Sequence, residues 1–188
     1  LPDRRGGLVL RRGTGLLRTI RALAAFLVLL PAVHVRGAPR DVIINEIMYH
    51  PPNDREGLQY VELFNRGESP LDISGWSFSK GVQFAFPERT KIDADSFLVV
   101  CRNLSEFTVA YGKEVKAIGN YTGKLSHHGD RLELSDAQKR VIDSVKYSDR
   151  DEWPAGADGY SPSLERICPS ADGQRPDNWA ASTLPPAK

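Results

Sequence analysis

The chain has 188 residues, of which 40% are hydrophobic and 9% aromatic, with 25 Lys plus Arg against 24 Asp plus Glu and only two cysteines. That apolar content is too high for a disordered segment, and the length suits one domain with residues to spare. Two cysteines exclude a disulfide-dense mini-domain, and no stretch reaches the roughly 18 unbroken apolar residues of a membrane span.

The near-neutral total hides an asymmetry. Residues 1–37 carry seven arginines and one acid, for +6, whereas the remainder holds 18 bases and 23 acids, for −5. A body that is net acidic disfavours nucleic-acid binding, so none is expected. The Arg-rich start, the apolar run ALAAFLVLLPAV over 22–33 and the small residues Val35 and Gly37 follow the order of a secretory signal peptide. Cleavage after Gly37 and export to the envelope or the medium are expected, with an uncleaved anchor helix as the alternative. No cysteine precedes Cys101, which excludes a lipid-anchored lipoprotein.

From Asp41 onward short β-rich runs alternate with turn residues. Val42–Met48 (VIINEIM) is a β-branched run that ends in the loop composition Tyr49-His50-Pro51-Pro52-Asn53-Asp54. Tyr60–Phe64 alternates, with Val61 and Leu63 on one face and Tyr60, Glu62 and Phe64 on the other. Leu71–Ile73, Trp76–Phe78 and Val82–Phe86 are further short strands, and Phe97–Cys101 (FLVVC) reads as a strand buried on both sides. Leu104–Tyr111 is the one helical segment, with Leu104, Phe107 and Tyr111 on one face and Gly112 as its stop. Arg131–Leu134 and Val141–Tyr147 form a hairpin across Ser135–Arg140. Beyond Tyr147 the chain turns to Pro, Gly, Asp and Ser, with Trp153 and Trp179 as anchors of a loop-rich tail. Strands at this spacing with almost no helix predict an all-β sandwich. The domain is placed at residues 38–180, after a signal peptide at 1–37 and before a linker or fragment end at 181–188.

The order of the pieces VIINEIMYHPPN, LQYVELFNRGESPLDISGWSFSKGVQFAFP, DSFLVVCRNLSEFTVAYG, GNYTGKLSHHGDRLELSD, VIDSVKYSDRDEWP, SLERI and DNW resembles the lamin-tail domain family as it occurs in bacterial secreted proteins. The resemblance runs from about Val42 to Trp179. It implies an immunoglobulin-like β-sandwich without enzymatic activity of its own, often attached to envelope or secreted proteins beside a hydrolase or CotH-type kinase domain. The family has no catalytic residues to carry over. One departure is Tyr160-Ser161-Pro162, an insertion-like step before Ser163-Leu164-Glu165.

No catalytic, cofactor or metal-binding residue is assigned. Several groups have residue types suited to chemistry, each beside a plainer reading. His127-His128-Gly129-Asp130 reads as a polar turn; two imidazoles on one metal would need a loop, and His50 is the only other imidazole of the body. Glu46 and Glu62 sit mid-strand and read as exposed or paired with Arg66 or Arg131, with an acid/base pair as the remote alternative. The acid run Asp149-Arg150-Asp151-Glu152, with Asp158, reads as solvated rather than as a Ca²⁺ loop. Trp76, Trp153 and Trp179 read as core plugs and staples, with a sugar-stacking platform as the alternative.

Cys101 and Cys168 are expected to pair, because an exported protein with an even number of cysteines sits in an oxidising compartment. The bond would fasten the tail to the sandwich. In function, the sequence points to a non-catalytic structural or adhesive module of a longer exported bacterial protein. The alternative is a module that targets an attached enzyme to a carbohydrate or envelope surface. Its partner would be a protein or a surface glycan, and the domain itself monomeric.

Overall fold

A computed structural model describes residues 39–183. The signal peptide expected over 1–37 lies outside these residues, as do residues 184–188 of the expected linker.

Along the chain come strands β1 (Val42–Met48), β2 (Tyr60–Asn65), β3 (Leu71–Asp72), β4 (Ser77–Lys80), β5 (Val82–Ala85), β6 (Lys91–Ile92) and β7 (Ser96–Cys101). Helix α1 (Leu104–Tyr111) follows, then β8 (Ala117–Ile118), β9 (Thr122–Gly123), β10 (Gly129–Ser135), β11 (Val141–Ser148), β12 (Leu164–Arg166) and β13 (Trp179–Ala181). One sheet has the order β13-β12-β1-β2-β7-β8 and the facing sheet β11-β10-β4-β5-β9, with a small β3-β6 ribbon beside them. This is the all-β sandwich that the strand spacing predicts, in the immunoglobulin-like form that the resemblance implies.

Period-two alternation sets what lies between the sheets. Ile44 and Ile47 of β1, Val61 and Leu63 of β2, and Leu98 and Val100 of β7 meet Phe78, Val82, Leu132, Leu134 and Val145 of the other sheet in one buried core. The β1–β2 register shifts between Ile44 and Glu46, a bulge that lets both Ile44 and Ile47 face inward. Trp76 and Trp179 are buried in that core, and Trp153 packs against it with its ring 6.2 Å from that of Trp179. The rings are therefore plugs and staples, as expected.

The outer face of the first sheet is capped at one end by α1. Asn103 caps this helix by accepting from the N–H groups of Ser105 and Glu106, and Gly112 ends it at φ +93°. Phe107, Tyr60, Met48, Val99 and Cys101 form a second apolar cluster beneath it. That cover is why Val99 and Cys101 are buried on the side of β7 that faces away from the main core.

The tail adds two short strands to the first sheet, with β12 against β1 and β13 against β12, and Ser182 continues the pairing with Ser163. One expectation needs correction: Cys101 and Cys168, expected to pair, are both free thiols. Cys101 lies opposite Tyr60 at one end of β2, whereas Arg66, just beyond the other end, donates to the Pro169 carbonyl next to Cys168. Six residues of strand span about 20 Å, far beyond the roughly 7 Å Cα separation that a disulfide tolerates. Cys101 instead donates to the Ile118 carbonyl.

Candidate functional site

A group of titratable side chains forms where the end of β1 meets the turn before β10. The buried Gln59 side chain ties these segments together. Its amide N–H groups donate to the carbonyls of Tyr49 and Leu125, both at 2.8 Å, and its carbonyl accepts from the Leu125 N–H at 3.0 Å. Tyr49 directly precedes His50, and Leu125 lies two residues before His127. One fully buried amide thus holds the Tyr49 and Leu125 segments, 76 residues apart in sequence, side by side.

Beneath the loops, the rings of Tyr49 and Tyr147 lie 5.0 Å apart, and Tyr147 Oη donates to the Ser126 carbonyl. On this floor the rings of His50 and His127 stack at 3.9 Å with an interplanar angle of 15°. The other face of His50 rests on Gly159, where a Cβ would come within 3.0 Å of the ring; this glycine also adopts φ +76°. At the ring's edges Nδ1 lies 2.6 Å from Asp158 Oδ1 and Nε2 lies 2.9 Å from Asp54 Oδ1. Asp54 reaches back because Asn53 and Asp54 both adopt left-handed backbone, at φ 56° and 52°, a conformation that Asn and Asp tolerate. His127 Nδ1 is 3.9 Å from the same Asp54 oxygen.

The electrostatics of the two rings differ. Burial lowers the His50 pKa, but the hydrogen bonds to Asp158 and Asp54 outweigh it, so the net shift is upward. Burial and then the charge of His50 push His127 downward. Its Nε2 is buried without a partner. His50, Asp54 and His127 each offer one ligand atom, and these atoms all lie within 4.8 Å of one another.

The adjacent imidazoles diverge. His128 turns away from this group, with Nδ1 3.0 Å from Asp149 Oδ2. Sequence spacing singled out the 127–128 pair, but the neighbour of His127 in space is His50. The acid run is dispersed in the same way. Asp149 pairs with His128 and Arg150, Asp158 holds His50, and Asp151 and Glu152 are exposed.

Glu46 and Glu62 do come together. They are direct partners across β1 and β2, and Glu165 of β12 lies opposite Glu46 on its other side. The expected Arg66 and Arg131 partners are elsewhere: Arg66 donates to backbone carbonyls and Arg131 pairs with Glu133. Glu46 is buried and accepts from Tyr60 Oη at 2.6 Å and from Ser163 Oγ. Asn45 Nδ2 donates to Glu62 at 3.0 Å. Desolvation, followed by the charge of Glu46, raises the Glu62 pKa to about 7, and desolvation also raises that of Glu46. Every hydrogen-bond partner here is a strand or tail side chain, so the pair joins the tail to the sheet.

The family model of the Lamin Tail Domain matches residues 36–149, and none of the curated proteins matches the chain. The matched span covers β1 to β11, that is the whole second sheet and all of the first except β12 and β13, with the Glu46–Glu62 pair and the stacked His50 and His127 inside it. The chain therefore belongs to the lamin tail domain family, an immunoglobulin-like domain family without catalytic function.

Proposed function

We propose that the chain serves as a non-catalytic structural or adhesive module of an exported bacterial protein, carried within a longer multidomain chain. The observation behind this reading is how the polar and aromatic side chains are used. Glu46, Gln59, Trp76 and Trp179 are buried in joints of the sandwich rather than gathered at a reactive cleft. The +6 leader with its short apolar run supports export. N-terminal sequencing of the protein recovered from envelope or medium tests it. The expected mature terminus is Ala38, and a terminus upstream of Ala22 would overturn export.

A second reading, a module that brings an attached enzyme to a surface glycan, is favoured by one feature. An open groove of about 470 Å³ is lined by Trp153 with Lys146, Asp151 and Glu152. A half-buried indole beside charged hydrogen-bonding groups suits a sugar ring. Binding on a glycan array that is lost in Trp153→Ala would select this reading over the first.

A further inference from the structure

We propose that the groove between the start of β1, the first residues of β11 and the β12–β13 loop binds a sugar acid, that is, one carboxylate carried on a hydroxylated ring. The groove is open and holds about 440 Å³. It shares no lining residue with the Trp153 groove, so neither reading depends on the other.

Charge selects the carboxylate. Arg40, Arg66 and Arg166 line the groove against Asp143 and Asp172, which leaves a surplus of one positive charge on a body that is net acidic. Asp143 is matched by Arg166, whose Nη1 lies 3.1 Å from Asp143 Oδ2. Among the described residues no carboxylate pairs with Arg40 or Arg66, whereas Arg102, Arg131, Arg140, Arg150 and Arg175 each have one. A surplus of one charge suits a carboxylate better than a phosphomonoester, which carries about two at neutral pH.

Arg66 is positioned in advance. Its Nη1 donates to the Pro169 carbonyl at 2.6 Å and its Nη2 to the Arg40 carbonyl at 3.1 Å. This clamp leaves one N–H on each Nη, and the Nε–H, for a ligand. Because both anchors are backbone carbonyls, the guanidinium keeps its charge, and a docking carboxylate does not have to order the side chain. On the floor, the Arg166 side chain is 4% exposed, and its Nε is buried without a partner. The floor thus holds an N–H donor for which the protein supplies no acceptor.

The remaining lining suits hydroxyl groups. Asp172 Oδ1 accepts from the Gln174 N–H at 2.9 Å, which leaves Oδ2 as an acceptor for a ring hydroxyl. Ser170 Oγ, 3.2 Å from Cys168 Sγ, can donate or accept. Val141, 52% exposed, offers an aliphatic surface to ring C–H groups. An aspartate in the lining opposes a bare inorganic anion but favours a ligand that brings hydroxyl donors beside its own charge.

The test titrates the ¹⁵N-labelled full chain with sodium D-glucuronate at neutral pH and fixed ionic strength. It follows the amide resonances of Ile142 and residues 170–173, which separates this site from the arginine-rich leader. Saturable shifts with a dissociation constant of about 1 mM are expected, absent with D-glucose and with the neutral methyl ester of glucuronate. Acetate and sulfate should bind at least about fivefold more weakly, and Arg66→Gln should weaken glucuronate binding about tenfold. Arg40→Gln, which has no ion pair to lose among the described residues, should do the same and decides the matter if Arg66→Gln fails to fold. Trp153→Ala should bind as the parent does. Absence of saturable shifts at about 50 mM glucuronate would overturn the site, as would unchanged binding in the folded arginine variants. Equal affinity for acetate or sulfate would leave a cradle for bare anions and overturn the sugar-acid assignment. Loss of binding in Trp153→Ala would place the ligand in the other groove and overturn it as well.

Discussion

Glu62→Gln should stabilise the domain at alkaline pH and leave it nearly unchanged at acidic pH. Desolvation between the strands, with repulsion from Glu46 and Glu165, raises the Glu62 pKa from its ordinary 4.5 to about 7. Between those values the folded protein holds a proton that the unfolded chain has released, so stability falls as pH rises through this window and levels off above it. The 2.5-unit difference corresponds to a ceiling of about 3 kcal/mol at 1.36 kcal/mol per unit, and to about 2 kcal/mol once the partial exposure of the side chain is discounted. Glutamine keeps the acceptor for Asn45 Nδ2 and removes the charge. Urea unfolding of parent and variant from pH 4 to 8.5 measures the difference at each pH, which cancels the titration of other groups. The stability difference should grow from near zero at pH 4 to about 2 kcal/mol in favour of Gln by pH 8. A difference that stays flat with pH, or a variant weaker than the parent at pH 8, would refute the argument that burial of this carboxylate costs stability.

Trp76→Ala removes a ring buried in the main core and should cost about 3–5 kcal/mol in denaturant unfolding; a change under 1 kcal/mol would place the ring at the surface. Gln59→Leu strands the Tyr49 and Leu125 carbonyls and the Leu125 N–H in a dry interior, and should lower stability by roughly 3 kcal/mol or more. It should also separate the His50 and His127 loops, visible as a change in the imidazole resonances. Native alkylation should modify the exposed Cys168 alone, whereas Cys101, fully buried and with its thiol pushed up to about 11 by desolvation, should react only after unfolding. A disulfide-linked mass under non-reducing conditions would contradict the separation of the two thiols.

Much of this molecule is decided by local pattern. Alternation over Tyr60–Phe64 determines that Val61 and Leu63 face the core, because side chains of successive strand residues must point to opposite faces whatever the strand pairs with. The helix over Leu104–Tyr111 is equally local, with its Asn103 cap and Gly112 stop adjacent in sequence. Alternation does not reveal which strand lies next to which, however. The addition of β12 and β13 to the sheet, the pairing of Glu46 with Glu62 and the separation of Cys101 from Cys168 were therefore settled only by strand order and register. The same holds for the histidines. Adjacency suggested His127 with His128, but consecutive residues in a turn diverge. What joins His127 to His50 is the buried Gln59 amide, which satisfies backbone groups of two distant loops at once. A single polar residue before a strand carries no periodic signal, so its role exists only where the folded chain excludes water and leaves those backbone groups no other partner.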